Sequence, residues 1–385
     1  MTPRPYAAAR RTLSIADKLY EVNWGLVLLI TIIACIGLAM QYSVAGGLWD
    51  PWAWKQAIRF VLSFVIMIAV AMVDIRFWLS FAYPAYAVSL ALLLGVDLMG
   101  IAHLGAQRWI TLGPLGDFQP SEPMKIALIL ALARFLHGQS VEEVSRPLRL
   151  LIPLVMIGLP AALVAIQPNL GTTIIIGLDG CSLLFLAGLS WWWILPTISA
   201  AAAAVPLAWR FVLHDYQKAR VMTFLNPESD SLGAGWNITQ AKIAVGSGGM
   251  AGKGFLQGTQ SRLNFLPEKQ TDFILTNFAE EFGFVGCMAL LILFAVVIGY
   301  GVQTATKARS QFGRLLAMGI TLNFFFYIMI NGLMVMGLIP VVGIPMPLIS
   351  YGGTAMLAVM FGFGLLLSVH VHRQVEIPRL SSGII

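Results

Sequence analysis

Long continuous apolar stretches alternate along this chain with short polar segments. A helix needs about 20 mostly apolar residues to cross the ~30 Å hydrocarbon core of a bilayer. The stretches are continuous, whereas a membrane barrel would show an alternating pattern. The sequence therefore predicts an all-α fold, a polytopic integral membrane protein with about ten transmembrane helices. The predicted helices are 23–43, 56–73, 77–97, 121–137, 149–166, 171–187, 191–213, 280–302, 314–338 and 351–371.

One connection between the predicted helices is much longer than the others. It lies before helix 8 and is rich in Gly, Asn, Gln, Lys and Arg. Loops of this length in compact domains are usually functional, and we expect its short helical patterns to lie along the membrane surface. The predicted organisation is an N-terminal segment 1–22, helices one to seven in 23–213, the large loop 214–277, helices eight to ten in 278–371, and a tail 372–385.

Composition and charge agree with a membrane protein and set its orientation. Only 11% of the residues are charged and 58% are hydrophobic, whereas a soluble domain has about 25% charged residues. A water-soluble enzyme and a disordered chain are therefore excluded. The net charge of +6 does not indicate a nucleic-acid partner, because the basic residues sort by side of the membrane. Their distribution predicts cytoplasmic N- and C-termini and an extracytoplasmic large loop.

An acidic and a basic residue stand at the outer start of the fourth predicted helix. Glu122 and Lys125 are three residues apart, so they share one helical face. Ionisable residues within membrane spans usually face the bundle interior and mark functional sites. The alternative is an interfacial ion pair whose lysine reaches out to the membrane surface.

A second candidate site lies where the large loop returns to the membrane. Asp272 stands in an otherwise apolar turn, where partial removal from water makes a carboxyl group a better proton acceptor. The alternative is an aspartate that caps a helix, and the spacing leaves both open. Glu280 and Glu281 follow in the sequence. For this pair too, two interpretations stay open: a functional role, or compensation of the dipole at the start of a helix.

A third candidate is the Pro- and Gly-rich segment 337–354, which includes Ser350, Gly352 and Gly353. Such a segment at a helix start predicts irregular backbone around a cavity, where N–H groups can bind an anion; a simple tight turn is the alternative. Positive charge on the same side suits a diphosphate group. The candidate cations are Arg108, Arg220 and Lys242.

Short motifs spread over nearly the whole chain surround these candidates. They are Gly105–Ile110, Gln119–Glu122 with Lys125, Gln167–Thr172, Arg220–Val221, Phe224–Pro227, Lys242–Ala244, Gly246–Gly249, Leu266–Glu268, Thr271–Phe273, Ala279–Glu281 with Gly283, and Pro345 and Pro347 with Ser350–Thr354. Together they resemble the motifs of the SEDS family (shape, elongation, division, sporulation), and most closely its RodA branch. The FtsW-like branch shares many of them. One departure is Asn169, where many relatives carry Asp.

This resemblance implies a peptidoglycan glycosyltransferase of the bacterial cytoplasmic (inner) membrane. Such an enzyme polymerises lipid II at the outer face during rod-shape elongation, with a class B penicillin-binding protein transpeptidase as partner. It implies that Asp272 deprotonates the acceptor sugar, that Lys125 contacts Asp272, and that Glu122 positions Lys125. Its substrate-binding candidates are Arg108, Arg220, Lys242, Ser350, Gly352 and Gly353.

A divalent cation, Mg²⁺ or Mn²⁺, could assist the leaving diphosphate, although the sequence shows no metal-ligand spacing. Two other functions fit the same topology. One is a transporter that flips lipid II without forming a bond, and the other is a scaffold that recruits cell-wall enzymes. A transporter has no need of a base held at one mouth of the bundle.

Overall fold

The structure is a computed structural model that describes residues 14–99, 101–103, 106–111, 117–193, 195–196, 199, 203, 206, 209–210, 215–226, 234–262 and 268–378. Its elements are α1 (Ile15–Glu21), α2 (Trp24–Val44), α3 (Ala53–Met72), α4 (Ile75–Met99), β1 (Ile101–His103), β2 (Ala106–Thr111), β3 (Asp117–Phe118), α5 (Ser121–His137), α6 (Val141–Val144), α7 (Pro147–Ile166), α8 (Leu170–Leu186), α9 (Asp215–Leu225), α10 (Ala234–Ser247), α11 (Thr259–Arg262), α12 (Ile274–Lys307), α13 (Gln311–Val335) and α14 (Gly353–Val371).

Seven of the described helices are long and apolar enough to cross a membrane. They are Trp24–Val44, Ala53–Met72, Ile75–Val96, Pro147–Ile166, Ile274–Lys307, Gln311–Val335 and Gly353–Val371. Helices α5 and α8 have 17 residues each, which corresponds to about 25 Å. The all-α membrane fold is confirmed. The predicted helix 191–213 lies largely outside the described residues.

A small sheet between α4 and α5 was not predicted. Strand β2 pairs antiparallel with β1 and β3, with Ile101 opposite Trp109 and Ile110 opposite Phe118. The strands are too short to show a periodic pattern in the sequence. Strand β2 carries Arg108, so the sheet determines where this cation lies.

Helix α5 occupies the centre of the bundle. All but three of its 17 residues are buried, and it packs against α4, α8 and α13. A helix that is buried on all sides holds its polar residues away from lipid and water. The charged residues in its first two turns therefore face other helices.

Helix α12 is broken at Gly283, where the backbone has φ 62° and ψ −161°. Part of the large loop, residues 248–254, fills the break. Gly249 accepts a hydrogen bond from Phe284 N (2.9 Å), and Gly254 N donates one to the Glu281 carbonyl (2.9 Å). A Cβ at Gly283 would overlap the backbone of the returning loop, so this position requires glycine. The break and the loop together fix the short helical segment that follows Asp272.

Candidate functional site

Asp272 lies in the turn that immediately precedes α12, and it is partly exposed. Its main-chain carbonyl accepts a hydrogen bond from Asn331 Nδ2 (3.0 Å), and the same amide donates to the Ile344 carbonyl (2.7 Å). Asn331 is fully buried on α13. The carboxylate lies beside Gly343, where a Cβ would be 3.4 Å from Oδ2. The acidic group is thus held next to the irregular segment that follows α13.

That irregular segment also holds the two residues before Asp272. Ser350 Oγ donates to the Thr271 carbonyl (2.6 Å), and Tyr351 N donates to the Gln270 carbonyl (2.8 Å). Gln41 of α2 donates to the same Gln270 carbonyl (3.0 Å). Three consecutive carbonyls, at residues 270, 271 and 272, are therefore fixed by groups from outside the turn. This restricts the motion of the Asp272 main chain.

The predicted irregular backbone is present between the end of α13 and the start of α14. The environment of Ser350 differs from the expected substrate contact. Its hydroxyl accepts from Met346 N (2.8 Å) as well as donating to Thr271, and the residue is only 5% exposed. The contacts assign Ser350 to positioning the turn.

Glu122, Lys125 and Tyr327 form a buried cluster in the centre of the bundle. Lys125 Nζ lies 2.7 Å from Glu122 Oε1, and the Tyr327 hydroxyl donates to Glu122 Oε2 (2.6 Å). Lys125 also donates to the Tyr327 hydroxyl and lies over its ring. The Lys125 side chain is 2% exposed, so the alternative of a lysine reaching the membrane surface is wrong. The predicted ion pair facing the bundle interior is confirmed.

The expected direct contact between Lys125 and Asp272 is wrong for this structure. Both residues are described, and the ammonium is bound to Glu122 and Tyr327, not to Asp272. Glu122 lies on the same helical face, so it reaches the ammonium before any residue of the loop. Tyr327 and Asn331 are four residues apart on α13, which is about 6 Å along the helix. The ion pair therefore lies about one helical turn deeper than the Asp272 main chain.

Arg108 and Lys242, two of the predicted substrate-binding cations, lie in different surroundings. Arg108 donates to the Gln167 carbonyl (3.1 Å) and to the Pro168 carbonyl, at the negative end of α7. It also lines a cavity of about 400 Å³ whose remaining walls are largely apolar. Lys242 is exposed on α10, and its Nζ would be 2.9 Å from a Cβ at Gly337. Arg220 is part of α9, and its side chain lies outside the described structure.

Arg59 is a candidate that the sequence analysis did not single out. Its guanidinium lies 4.6 Å from the centre of the Tyr351 ring. It also packs against Gly353 at the start of α14, where Gly352 provides no side-chain cap. Its Nη1 atom is buried and makes no hydrogen bond to the described residues. A cation beside the positive end of a helix favours an anion between them. Its position two turns into an apolar helix was the available signal.

Tyr327 and Asn331 were also missed, because uncharged polar residues inside an apolar helix carry little signal by themselves. Their four-residue spacing, which places both on one face, was the feature that could have found them.

The acidic pair Glu280 and Glu281 is buried inside the protein. Glu280 Oε1 accepts hydrogen bonds from Lys253 Nζ (2.6 Å) and the Thr259 hydroxyl (2.7 Å), while Glu281 accepts one from Ser43. These contacts tie the large loop to α12 and α2. Within the described residues, no group of three or more His, Cys, Asp or Glu could hold a metal ion. The described side chains therefore do not fit a metal centre built by the protein alone.

Comparisons with known proteins find close relatives. The model of the FtsW/RodA/SpoVE family, described as cell cycle proteins, matches residues 18–375. The peptidoglycan glycosyltransferase MrdB of Escherichia coli K12 is 47% identical over 316 residues, which covers 82% of this chain and 85% of that protein. MrdB of Helicobacter pylori strain 26695 is 37% identical over 330 residues, or 83% of this chain and 84% of that protein.

Solved structures show the same similarity. One chain of a structure described as a peptidoglycan synthase complex that coordinates polymerization and crosslinking has a TM-score of 0.79 and 30% identity, over 91% of this chain and 98% of that chain. The crystal structure of the rod shape determining protein RodA of Thermus thermophilus has a TM-score of 0.69 and 28% identity, over 91% of this chain and 97% of that one.

Proposed function

Because this chain belongs to the FtsW/RodA/SpoVE family of cell cycle proteins, we propose that it is a peptidoglycan glycosyltransferase that polymerises lipid II during rod-shape elongation. The curated names of the similar proteins support this reaction. The observation that carries the proposal is the position of Asp272. Its main chain is fixed by buried donors, whereas its side chain remains partly exposed beside an irregular segment.

In the proposed reaction, Asp272 accepts the proton of the acceptor sugar 4-hydroxyl. The oxygen attacks the anomeric carbon of the donor, the bond from that carbon to the diphosphate oxygen breaks, and the configuration inverts. The electron pair leaves with the polyprenyl diphosphate. A general base must lie within hydrogen-bond reach of the proton that it removes, and a fixed main chain with an accessible carboxylate meets this requirement.

Glu122 and Lys125 are proposed to act on Asp272 indirectly, through helix α13. The Lys125 ammonium lies 2.7 Å from the Glu122 carboxylate, so the two opposite charges act as a local dipole and not as a free cation. Tyr327 joins this pair to α13, and Asn331 joins the same face of α13 to the Asp272 carbonyl. In this proposal the ion pair sets the position of α13, and α13 sets the position of the base.

Two cationic regions flank the irregular segment, and both are proposed to bind diphosphate. Lys242 lies at Gly337, where the segment begins, and Arg59 lies at Gly353, where it ends. Donor and acceptor are both lipid-linked diphosphates, so the reaction needs two such regions. Arg108 is a further candidate near the Lys242 end, and Arg220 stays a candidate from its motif alone. The apolar cavity beside Arg108 suits an isoprenoid chain. Gly352 and Gly353 leave the start of α14 open to an anion.

The partner and the orientation are part of the proposal. A class B penicillin-binding protein transpeptidase is the proposed partner, supported by the similarity to a chain of a peptidoglycan synthase complex. The protein would lie among the lipids of the bacterial inner membrane, with both termini in the cytoplasm. This orientation places Asp272 and the large loop at the outer face, where lipid II carries its sugars. No step of the proposed reaction passes through an Mg²⁺ or Mn²⁺ ion.

Polymerisation by the purified full-length protein tests this function. Proteoliposomes with lipid II in the outer leaflet should yield glycan polymer and free polyprenyl diphosphate in matched amounts. Movement of intact lipid II to the opposite leaflet without product would indicate the transporter instead. If the protein shows neither activity, both alone and together with the partner transpeptidase, the scaffold function would remain and the proposed enzyme would be contradicted.

A further inference from the structure

A second cavity lies at the end of the bundle opposite to Asp272. Its volume is about 700 Å³, and it is formed where α5 and α8 end and α13 begins. Gln311 at this end and Asn331 beside Asp272 are 20 residues apart on α13, which is about 30 Å along the helix. The cavity is therefore separate from the site proposed for glycosyl transfer.

Two arginines give this cavity positive charge. Arg309 and Arg314 both line it. Arg309 lies 3.5 Å from Glu376, but Glu376 is 77% exposed, and such an exposed pair is weak and screened by salt. Arg314 donates to the Ala308 carbonyl (3.3 Å) and forms no ion pair with a described carboxylate. The start of the 25-residue helix α13 adds its positive dipole end at the same place. The cavity thus favours an anion.

Gln311, which lines the cavity, has an acceptor atom without a hydrogen-bond donor among the described residues. Its Nε2 donates to the Leu136 carbonyl (3.3 Å), whereas its Oε1 is buried and accepts no hydrogen bond from the described residues. A buried acceptor without a donor is unfavourable. A hydroxyl group on the ligand would satisfy it.

The remaining walls are mixed in character. Leu186 and Leu315 present apolar side chains beside the arginines. A boundary between apolar and cationic surface is the environment of a phospholipid at the junction of its headgroup and its glycerol backbone.

We propose that this cavity binds the phosphoglycerol group of an anionic phospholipid. Arg309 and Arg314 bind the phosphate, and Gln311 Oε1 accepts a hydrogen bond from a headgroup hydroxyl. The site is independent of the glycosyltransferase reaction. It differs from general attraction of anionic lipid by basic residues, in which each exposed cation contributes about equally. A specific binding site instead predicts that the two arginines contribute far more to lipid affinity than a neighbouring lysine does.

Lys307 provides the matched control. It is an exposed cation in the last turn of α12, two residues before Arg309, and it does not line the cavity. Full-length protein in detergent micelles would be titrated with dihexanoyl phosphatidylglycerol, and binding followed by native mass spectrometry. We expect R309Q and R314Q each to weaken binding about tenfold, as for a lost charge-assisted hydrogen bond. We expect K307Q to change it less than twofold. Equal losses in all three variants would overturn the proposal.

Three further probes separate the possible ligands. Dihexanoyl phosphatidylcholine should bind at least tenfold more weakly than dihexanoyl phosphatidylglycerol. Dihexanoyl phosphatidic acid lacks the headgroup glycerol, and at about pH 9 its phosphomonoester has also lost its last proton. At that pH, Q311L should weaken phosphatidylglycerol binding and leave phosphatidic acid binding unchanged; an equal effect on both would overturn the role of Gln311. Glycerol phosphate tests for a soluble ligand, and binding as tight as that of the short-chain lipid would overturn the assignment to a phospholipid. Thermal unfolding of each variant checks that it is folded.

Discussion

Replacing Asn331 by Leu would remove the side chain that holds the Asp272 main chain. Asn331 Nδ2 donates to two carbonyls, those of Asp272 (3.0 Å) and Ile344 (2.7 Å). The contact with the Ile344 carbonyl is buried, and a buried acceptor left without its donor costs about 1–3 kcal/mol. The contact with the Asp272 carbonyl is only part-buried, so its loss adds about 0.5–1.5 kcal/mol. N331L should therefore lose about 1.5–4.5 kcal/mol of stability, and the Asp272 main chain loses its contact with α13.

The catalytic effect follows from the geometry of the base. A misplacement of about 1 Å in a catalytic group can cost roughly 100-fold in rate. We therefore expect N331L to lower kcat for polymer formation about 100-fold while KM for lipid II changes less than threefold. The assay is the initial rate of glycan polymerisation by the full-length protein in detergent, with thermal unfolding measured on the same samples.

Asn323 supplies a matched control on the same helix. It is buried, and its Nδ2 donates to Asp179 Oδ2 (2.7 Å). It lies eight residues before Asn331, about 12 Å deeper in the bundle. N323L should therefore cost stability as N331L does but retain most of the activity. Equal loss of activity in the two variants would refute the positioning role of Asn331.

Three other changes test residues around this site and in the large loop. Y327F removes one hydroxyl from a carboxylate contact, so it should cost about 1.5–3 kcal/mol and lower kcat about tenfold, as measured by thermal unfolding and polymerisation; unchanged values would exclude Tyr327 from positioning. G283A forces a side chain into the loop at a positive φ, so it should lower the unfolding temperature, whereas G299A, whose Cβ meets nothing within 4 Å, should not. Burial lowers the pKa of Lys269, so the unfolded chain binds more protons than the folded one between that lowered pKa and the ordinary lysine value of about 10.4. Stability should therefore rise with pH across this alkaline window, and the rise should shrink in K269M; an unchanged slope would contradict a lysine that is partly removed from water.

Hydropathy was sufficient to predict most of the helices, because the thickness of the bilayer imposes a minimum apolar length that can be read along the chain. It did not predict the break at Gly283. Gly283 stands in a helical pattern that continues on both sides of it, and the contacts that stabilise the break come from residues 248–254 of the large loop.

The candidate site was predictable only in part, for a similar reason. The Glu122–Lys125 pair depends on local helical spacing, which the sequence contains. The expected contact between Lys125 and Asp272 depends on how distant elements pack, and there a nearer partner holds the lysine. Arg59 stands two turns into its helix, which is a weak signal by itself. Its place beside α14 follows from packing between α3 and α14.

D272N removes the proposed proton acceptor of glycan polymerisation and leaves a side chain of the same shape. Asp50 is an exposed aspartate between α2 and α3, so D50N is the matched control. General base catalysis contributes about 10²–10⁴-fold. We expect D272N to lower the initial rate of polymer formation from lipid II by about that factor, while lipid II binding and thermal unfolding stay near those of D50N. A D272N protein that is folded, binds lipid II and polymerises it at the rate of D50N would show that Asp272 is not the proton acceptor.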